Sequence, residues 1–115
     1  MWKVKKVFRF EAAHHLPGYE GDCARVHGHS YKLEVDVRGK PDAQGMIIDF
    51  RELGDIVNGI VISRLDHSDL NETLKHPTAE NIAKWIYEAL KPKIPKLYEI
   101  TVWETEKCSA SYRED

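Results

Sequence analysis

The chain has 115 residues, of which 42% are hydrophobic and 31% are charged, and its formal net charge at pH 7 is −2. This composition predicts one domain over residues 1–115 that can bury a core, and it excludes a strongly basic nucleic-acid-binding protein. No apolar run approaches the ~20 residues that cross a bilayer, and the first residues lack the apolar stretch of a signal peptide. We therefore expect a cytoplasmic protein with no nucleic-acid partner and no membrane partner.

Two long strands are predicted in the first third of the chain. Residues 2–14 are dense in apolar side chains that partly alternate with polar ones, and residues 27–38 alternate cleanly. Alternation with a period of two indicates a strand with one buried face. Residues 17–22 contain two glycines and a proline, so they predict a loop between the strands.

Two helices and two further strands are predicted in the rest of the chain. Asp49 followed by Glu52 resembles a capping box, so the first helix is expected to run from there to about Arg64. Thr78 is the expected N-cap of the second helix. The last two strands are predicted at residues 97–106 and 108–113. The order ββααββ indicates an α+β domain with both helices on one face of the sheet.

Three histidines are placed where their rings could meet. His27 and His29 point to the same face of the second strand, because residues i and i+2 share a face. His14 has the parity of the core-facing residues of the first strand, so a hairpin of the two strands would bring all three rings together. Three protein nitrogens with an open fourth position form the ligand set of a catalytic zinc. The alternative is strand-end histidines with ordinary hydrogen bonds, since an isolated His-x-His motif is weak evidence for a metal.

These histidines belong to a series of short motifs that extends along the whole chain. In chain order the motifs are Phe10-Glu11-Ala12-Ala13-His14, Cys23-Ala24-Arg25-Val26-His27-Gly28-His29, Gly45-Met46-Ile47-Ile48-Asp49-Phe50, Leu65-Asp66-His67, Pro77-Thr78-Ala79-Glu80-Asn81 and Trp103-Glu104-Thr105. Together they resemble the 6-pyruvoyl-tetrahydropterin synthase family, which includes the 6-carboxytetrahydropterin synthases of the queuosine pathway.

The resemblance implies a fold, an assembly and a metal. The fold is the tunnelling fold (T-fold), in which three subunits each contribute a four-stranded antiparallel sheet to one barrel and two trimers stack as a homohexamer. Such an assembly would pair the sheet edges that a chain of this size leaves open. The resemblance also implies Zn²⁺ on His14, His27 and His29, at sites where subunits meet.

The resemblance further assigns groups that move protons. It makes Cys23 the general base, a role that a thiolate can fill where cationic charge lowers its pKa; the alternative is a buried, inert cysteine. It gives Asp66 and His67 a proton-transfer role with Cys23, and the alternative is a loop turn capped by Asp66. Adjacent residues rarely join ring to carboxylate directly, so separate roles are expected for Asp66 and His67.

Three further residues are expected to contact a pterin. Glu104 has the parity of the core-facing residues of the third strand, and a carboxylate can accept two hydrogen bonds from the paired N–H groups of a pterin. The alternative for Glu104 is a solvated strand residue. Thr78 and Glu80 are explained as the N-cap and the first-turn acid of the second helix, and the resemblance adds pterin contacts to both.

The activity implied by the resemblance is that of a zinc-dependent lyase acting on 7,8-dihydroneopterin triphosphate. Three residues separate Cys23 from His27, as in the carboxy branch, which forms 6-carboxytetrahydropterin, acetaldehyde and triphosphate. Members of the pyruvoyl branch, which keep the side chain and eliminate triphosphate, more often have two extra residues there. Two more candidates are an aldolase-like reaction on dihydroneopterin and a non-catalytic pterin- or metal-binding module. Arg9, Arg25 or Lys107 could hold the phosphates.

Overall fold

A mixed sheet of five strands, with helices packed on one face, forms the protein in the computed structural model, which describes residues 1–21 and 24–114. The strands are β1 (Trp2–His14), β2 (His27–Gly39), β3 (Ser68–Asp69), β4 (Leu97–Trp103) and β5 (Ser109–Tyr112). Their order in the sheet is β3-β1-β2-β4-β5. The four predicted strands pair antiparallel as expected. The expected strand count is wrong by one, because β3 adds a short parallel pairing to β1 and two residues are too few to leave a periodic signal.

The helices follow the predicted order and differ in detail. The first consists of α1 (Phe50–Val57), a π-helical turn (Asn58–Ile62) and α2 (Ser63–Leu65), which follow one another without a break. The side chain of Asp49 accepts a hydrogen bond from Arg51 N at 2.8 Å. The second helix is α3 (Ala79–Leu90), and its N-cap is Thr78, as expected. None of the helices in the described part of the chain has the length and apolar character needed to cross a bilayer.

The β1–β2 hairpin sets which side chains share a face. Its register places His14 opposite His27 and Phe10 opposite Tyr31. Phe10 and Tyr31 are both buried beneath the helices, so this face of the hairpin is the core face. Because opposite residues in an antiparallel pair lie on the same side of the sheet, the histidines stand at the end of the core face.

The other face of the sheet is polar and is held by its own contacts. The carboxylate of Glu34 accepts a hydrogen bond from Lys5 Nζ at 2.8 Å and another from Trp103 Nε1 at 3.0 Å. These bonds, together with ionic attraction to Lys5, lower the pKa of Glu34 below its ordinary value. Glu34 is therefore ionised at neutral pH.

The β4–β5 turn begins earlier than the sequence predicted. The strand expected over residues 97–106 ends at Trp103, and Glu104 lies in the turn that follows. Glu104 N donates to the carbonyl of Cys108 at 3.0 Å, which closes the hairpin. The sequence pattern overestimated the length of this strand because the residues that follow Trp103 include no glycine or proline that would mark a turn.

Candidate functional site

The structure brings the rings of His14, His27 and His29 together at one end of the sheet. One ring nitrogen of each lies within 4.8 Å of the others, and His14 Nε2 lies 3.1 Å from His27 Nε2. His14 is buried and the other two are half-buried. Zinc–nitrogen bonds of about 2.0–2.1 Å in a tetrahedral site separate ligand nitrogens by roughly 3.3 Å, so the His14–His27 distance fits such an ion.

Backbone carbonyls fix the tautomers of two of these rings. His14 Nδ1 donates to the carbonyl oxygen of Pro77 at 2.8 Å, and His27 Nδ1 donates to that of Arg25 at 2.7 Å. Because a carbonyl oxygen only accepts, each Nδ1 carries the hydrogen, and a neutral ring then has its lone pair on Nε2. The two lone pairs face each other at 3.1 Å, which is repulsive unless a proton or a metal ion lies between them.

His29 adds a third nitrogen without a hydrogen-bond partner. Its Nε2 is buried and accepts or donates no hydrogen bond among the described residues. Glu104 Oε1 lies 3.2 Å away, at ion-pair distance but outside hydrogen-bond geometry. Burial lowers the pKa of His29, and the Glu104 carboxylate partly opposes this effect. A neutral imidazole with an unused buried nitrogen fits a metal ligand, so all three residues suit the same ion.

Tyr31 supports the histidines from within the core. Its hydroxyl oxygen lies 3.3 Å from His14 Nδ1, and its ring stacks on Phe10 with a centroid distance of 4.9 Å. Burial, and then the charge of Glu104, raises the pKa of Tyr31 above its ordinary value of 10, so the hydroxyl stays protonated. Tyr31 was not among the predicted site residues, although its position two residues after His29 places it on the same face of β2.

Asp66 and His67 form a direct pair, although ring-to-carboxylate contact was not expected between adjacent residues. Asp66 Oδ2 lies 3.1 Å from His67 Nδ1. The backbone of His67 is left-handed, with φ of 58°, and this changes the direction of its side chain relative to an extended or helical residue. Positive φ is unusual for histidine and concentrates at functional sites.

The Asp66–His67 pair is anchored to the edge of β1. Glu11 N donates to Asp66 Oδ1 at 2.9 Å, and His67 N donates to the carbonyl of Glu11 at 2.6 Å. The hydrogen bond from Glu11 N, and then the one from His67, lowers the pKa of Asp66, which keeps the carboxylate ionised. The His67 side chain is 80% exposed. It lines an open cleft of about 470 Å³ together with His29 and Ser30, which we call the His29–His67 cleft.

Three of the remaining predicted site residues are described: Thr78 and Glu80 lie at the start of α3, and Glu104 lies beside His29. Thr78 caps α3 beside Pro77, whose carbonyl holds His14, while Glu80 is exposed in the first turn of that helix. Glu104 reaches Nε2 of His29 instead of lying in a strand. Cys23 lies outside the described residues.

Residues 3–115 match the family model of 6-pyruvoyl tetrahydropterin synthase. The chain belongs to the 6-pyruvoyl tetrahydropterin synthase family. It is 40% identical to a 6-carboxy-5,6,7,8-tetrahydropterin synthase of Synechocystis, over 97% of this chain and 93% of that relative. It is 38% identical to a dihydroneopterin monophosphate aldolase of Pyrococcus furiosus, over 89% of this chain and 90% of that relative.

A solved member of the 6-pyruvoyl tetrahydropterin synthase family has the same fold. The 6-pyruvoyl tetrahydropterin synthase of Caenorhabditis elegans superposes with a TM-score of 0.90 at 28% identity, over 99% of this chain and 96% of that one. The predicted tunnelling fold is thereby confirmed. Family membership leaves the reaction open, because relatives of similar identity carry names for different reactions.

Proposed function

We propose that this protein is a zinc-dependent 6-carboxy-5,6,7,8-tetrahydropterin synthase of the cytoplasm, acting in queuosine biosynthesis. It would convert 7,8-dihydroneopterin triphosphate into 6-carboxytetrahydropterin, acetaldehyde and triphosphate. The observation that carries the proposal is the pair of Nε2 lone pairs on His14 and His27, which face each other at 3.1 Å beside the unpartnered Nε2 of His29. The relative that is 40% identical and the three-residue spacing from Cys23 to His27 favour the carboxy reaction.

In this proposal His14, His27 and His29 hold Zn²⁺ through their Nε2 atoms. The carbonyls of Pro77 and Arg25 keep the Nδ1 hydrogens of His14 and His27 engaged, so their Nε2 lone pairs are presented to the ion. A bound zinc ion supplies a Lewis acid that polarises an oxygen of the substrate side chain.

The proposed proton-transfer groups are Cys23, Asp66 and His67. The Asp66 carboxylate lies 3.1 Å from Nδ1 of His67, so in this proposal it holds the hydrogen on Nδ1, and the exposed Nε2 of that ring takes or gives a proton in the His29–His67 cleft. Cys23 is the proposed general base on the substrate side chain, and His67 is its proton-exchange partner.

The residues proposed to bind the pterin are Glu104, Thr78 and Glu80. The carboxylate of Glu104 stands beside His29, so a pterin ring bound to it would have its side chain within reach of the histidine site. A carboxylate accepts two hydrogen bonds from the adjacent N–H groups of the pyrimidine edge. Thr78 and Glu80, at the start of α3, are the proposed additional contacts.

Product analysis tests this function. Zinc-loaded protein incubated with 7,8-dihydroneopterin triphosphate should yield 6-carboxytetrahydropterin and acetaldehyde in equal amounts. A product that retains its three-carbon side chain would identify the pyruvoyl branch. Release of glycolaldehyde from dihydroneopterin, or of glycolaldehyde phosphate from its monophosphate, would identify the aldolase reaction, which a relative 38% identical to this chain makes the second candidate. Pterin binding without turnover would identify a non-catalytic module.

The proposed assembly is a homohexamer built from two trimers. On the side away from β2, β1 pairs only through Ala12 and Ala13 among the described residues, so most of a 13-residue strand offers an open edge. Trp2 and Phe50 are 66% and 52% exposed and line an apolar cavity of about 380 Å³. Pairing of the open edge and covering of this cavity would both stabilise association.

Light scattering should give a particle with six times the mass of the chain, and activity should follow that particle. Phe50→Asp should shift the protein to smaller species, because a charge would be buried against another subunit. Tyr19→Asp is the matched control, since Tyr19 is a similarly exposed aromatic residue, at 56%, outside the cavity. A stable and active monomer would contradict the proposed assembly.

A further inference from the structure

A second cleft, on the polar face of the sheet, brings two cationic side chains together. Arg9 and Lys32 lie directly opposite each other in the β1–β2 register. The cleft measures about 210 Å³ and is lined by Arg9, Ser30, Lys32, Trp103, Thr105 and Glu106. Like charges that face each other across an antiparallel pair are destabilising, so this placement calls for a compensating anion.

Lys32 shares its nearest carboxylate with two other groups. Glu34 accepts hydrogen bonds from Lys5 and Trp103, at 2.8 and 3.0 Å. Lys32 Nζ remains 3.9 Å from Glu34 Oε1, and it lies 4.8 Å from the centroid of the Trp103 ring. Its ammonium hydrogens are thus left without a short hydrogen bond to that carboxylate.

The positive charge of Arg9 has even less neutralising negative charge nearby than that of Lys32. Within residues 1–21 and 24–114 no carboxylate lies at ion-pair distance from its guanidinium. Glu11, two residues along the same face, accepts a hydrogen bond from Ser30 Oγ at 2.6 Å. Glu106 is the one acid that lines the cleft, against two bases, so the cleft keeps a net positive charge.

We infer that this cationic cleft binds a phosphate group, with Arg9 and Lys32 as its ligands, and that it receives the phosphate chain of the substrate. The assignment of the chain to a substrate rests on the proposed function. A guanidinium gives a phosphate two parallel hydrogen bonds, and an ammonium adds a point charge. A phosphate in the cleft would offset the repulsion between the two cations.

The cationic cleft adjoins the His29–His67 cleft. Ser30 lines both the cationic cleft and the His29–His67 cleft. Lys32 is two residues further along β2, or about 7 Å at the rise of an antiparallel strand. On the other side, Thr105 follows Glu104, which contacts His29. A ligand that joins the histidines to the two cations would pass from the core face to the polar face of the sheet at Ser30.

Calorimetric titration with inorganic triphosphate tests the cleft without a pterin. The titration is run on protein dialysed against EDTA and on zinc-loaded protein, with circular dichroism as a check of folding. We expect binding in both forms, and a loss of about 10-fold or more in affinity for Arg9→Gln and for Lys32→Gln, the usual effect of removing a charged hydrogen bond. Lys3→Gln is the matched control, because Lys3 lies on the same face of β1, near Asp36 at 3.9 Å, and outside the cleft.

The outcomes separate this inference from the proposed function. If Arg9→Gln and Lys32→Gln bind triphosphate as Lys3→Gln does, or if binding disappears with the metal, the cationic cleft is not a phosphate site. If Arg9→Gln and Lys32→Gln weaken triphosphate binding but the protein turns over no pterin, the phosphate site is supported and the proposed function is wrong. If the pterin is turned over and its KM is the same in Arg9→Gln, the phosphate chain binds elsewhere and the inference is overturned.

Discussion

His29→Ala is expected to remove the metal from the protein. The parent should hold about one zinc ion per chain after dialysis, measured by mass spectrometry, and the variant close to none, with turnover lost in parallel. Two imidazoles and solvent do not form the three-ligand set of a catalytic site. His14→Ala and His27→Ala should behave in the same way, since their Nε2 atoms complete the cluster.

Two control variants sharpen this metal experiment. His76→Ala should keep its zinc, because His76 is an exposed histidine whose carbonyl, not its ring, accepts hydrogen bonds from Thr78 N and Asn81 Nδ2. Tyr31→Phe removes the hydroxyl 3.3 Å from His14 Nδ1 and should weaken zinc binding by at most about 10–100-fold, the range for groups that orient a ligand. Full zinc retention by His29→Ala would refute the metal site.

The meeting of the histidines was predictable because it depends only on strand parity. His27 and His29 share a face by their spacing, and His14 shares it through the antiparallel pairing with His27. The groups that orient the rings were not predictable in the same way. The carbonyl of Pro77 is 63 residues from His14 in the chain, and a backbone carbonyl has no side-chain identity that a sequence pattern could reveal.

The sequence did not predict two contacts around the histidines, and both depend on backbone that departs from regular secondary structure. The pairing of Asp66 with His67 accompanies a left-handed histidine, a conformation that sequence patterns assign to glycine or asparagine. The contact of Glu104 with His29 depends on the end of β4 at Trp103, which the polar residues that follow do not mark. Local pattern thus predicted the elements, while tertiary contacts determined these two pairs.

Cys23→Ala is expected to slow turnover of 7,8-dihydroneopterin triphosphate by about 10²–10⁴-fold, the usual effect of losing a positioned proton-transfer group. Zinc content and pterin affinity should match those of the parent, because the thiol is proposed as a base and not as a ligand. Cys108→Ala is the control, since Cys108 is an exposed free cysteine and should turn over as the parent does. Turnover at the parent rate in Cys23→Ala would make the thiol structural and the proposed proton transfer wrong.

Glu104→Gln is expected to weaken pterin binding, whereas Cys23→Ala is expected to slow turnover, so the two variants can be distinguished. An amide offers one acceptor and one donor where the carboxylate offered two acceptors, so pterin affinity should fall by about 10–150-fold, corresponding to one charged hydrogen bond. Zinc content must be measured on the same sample, because Glu104 also lies 3.2 Å from His29 Nε2. Glu88→Gln changes an exposed acid of α3 that lines neither the His29–His67 cleft nor the cationic cleft, and it should leave pterin affinity unchanged. If Cys23→Ala and Glu104→Gln both behaved as the parent on this substrate, the assignment of a pterin to this site would be wrong.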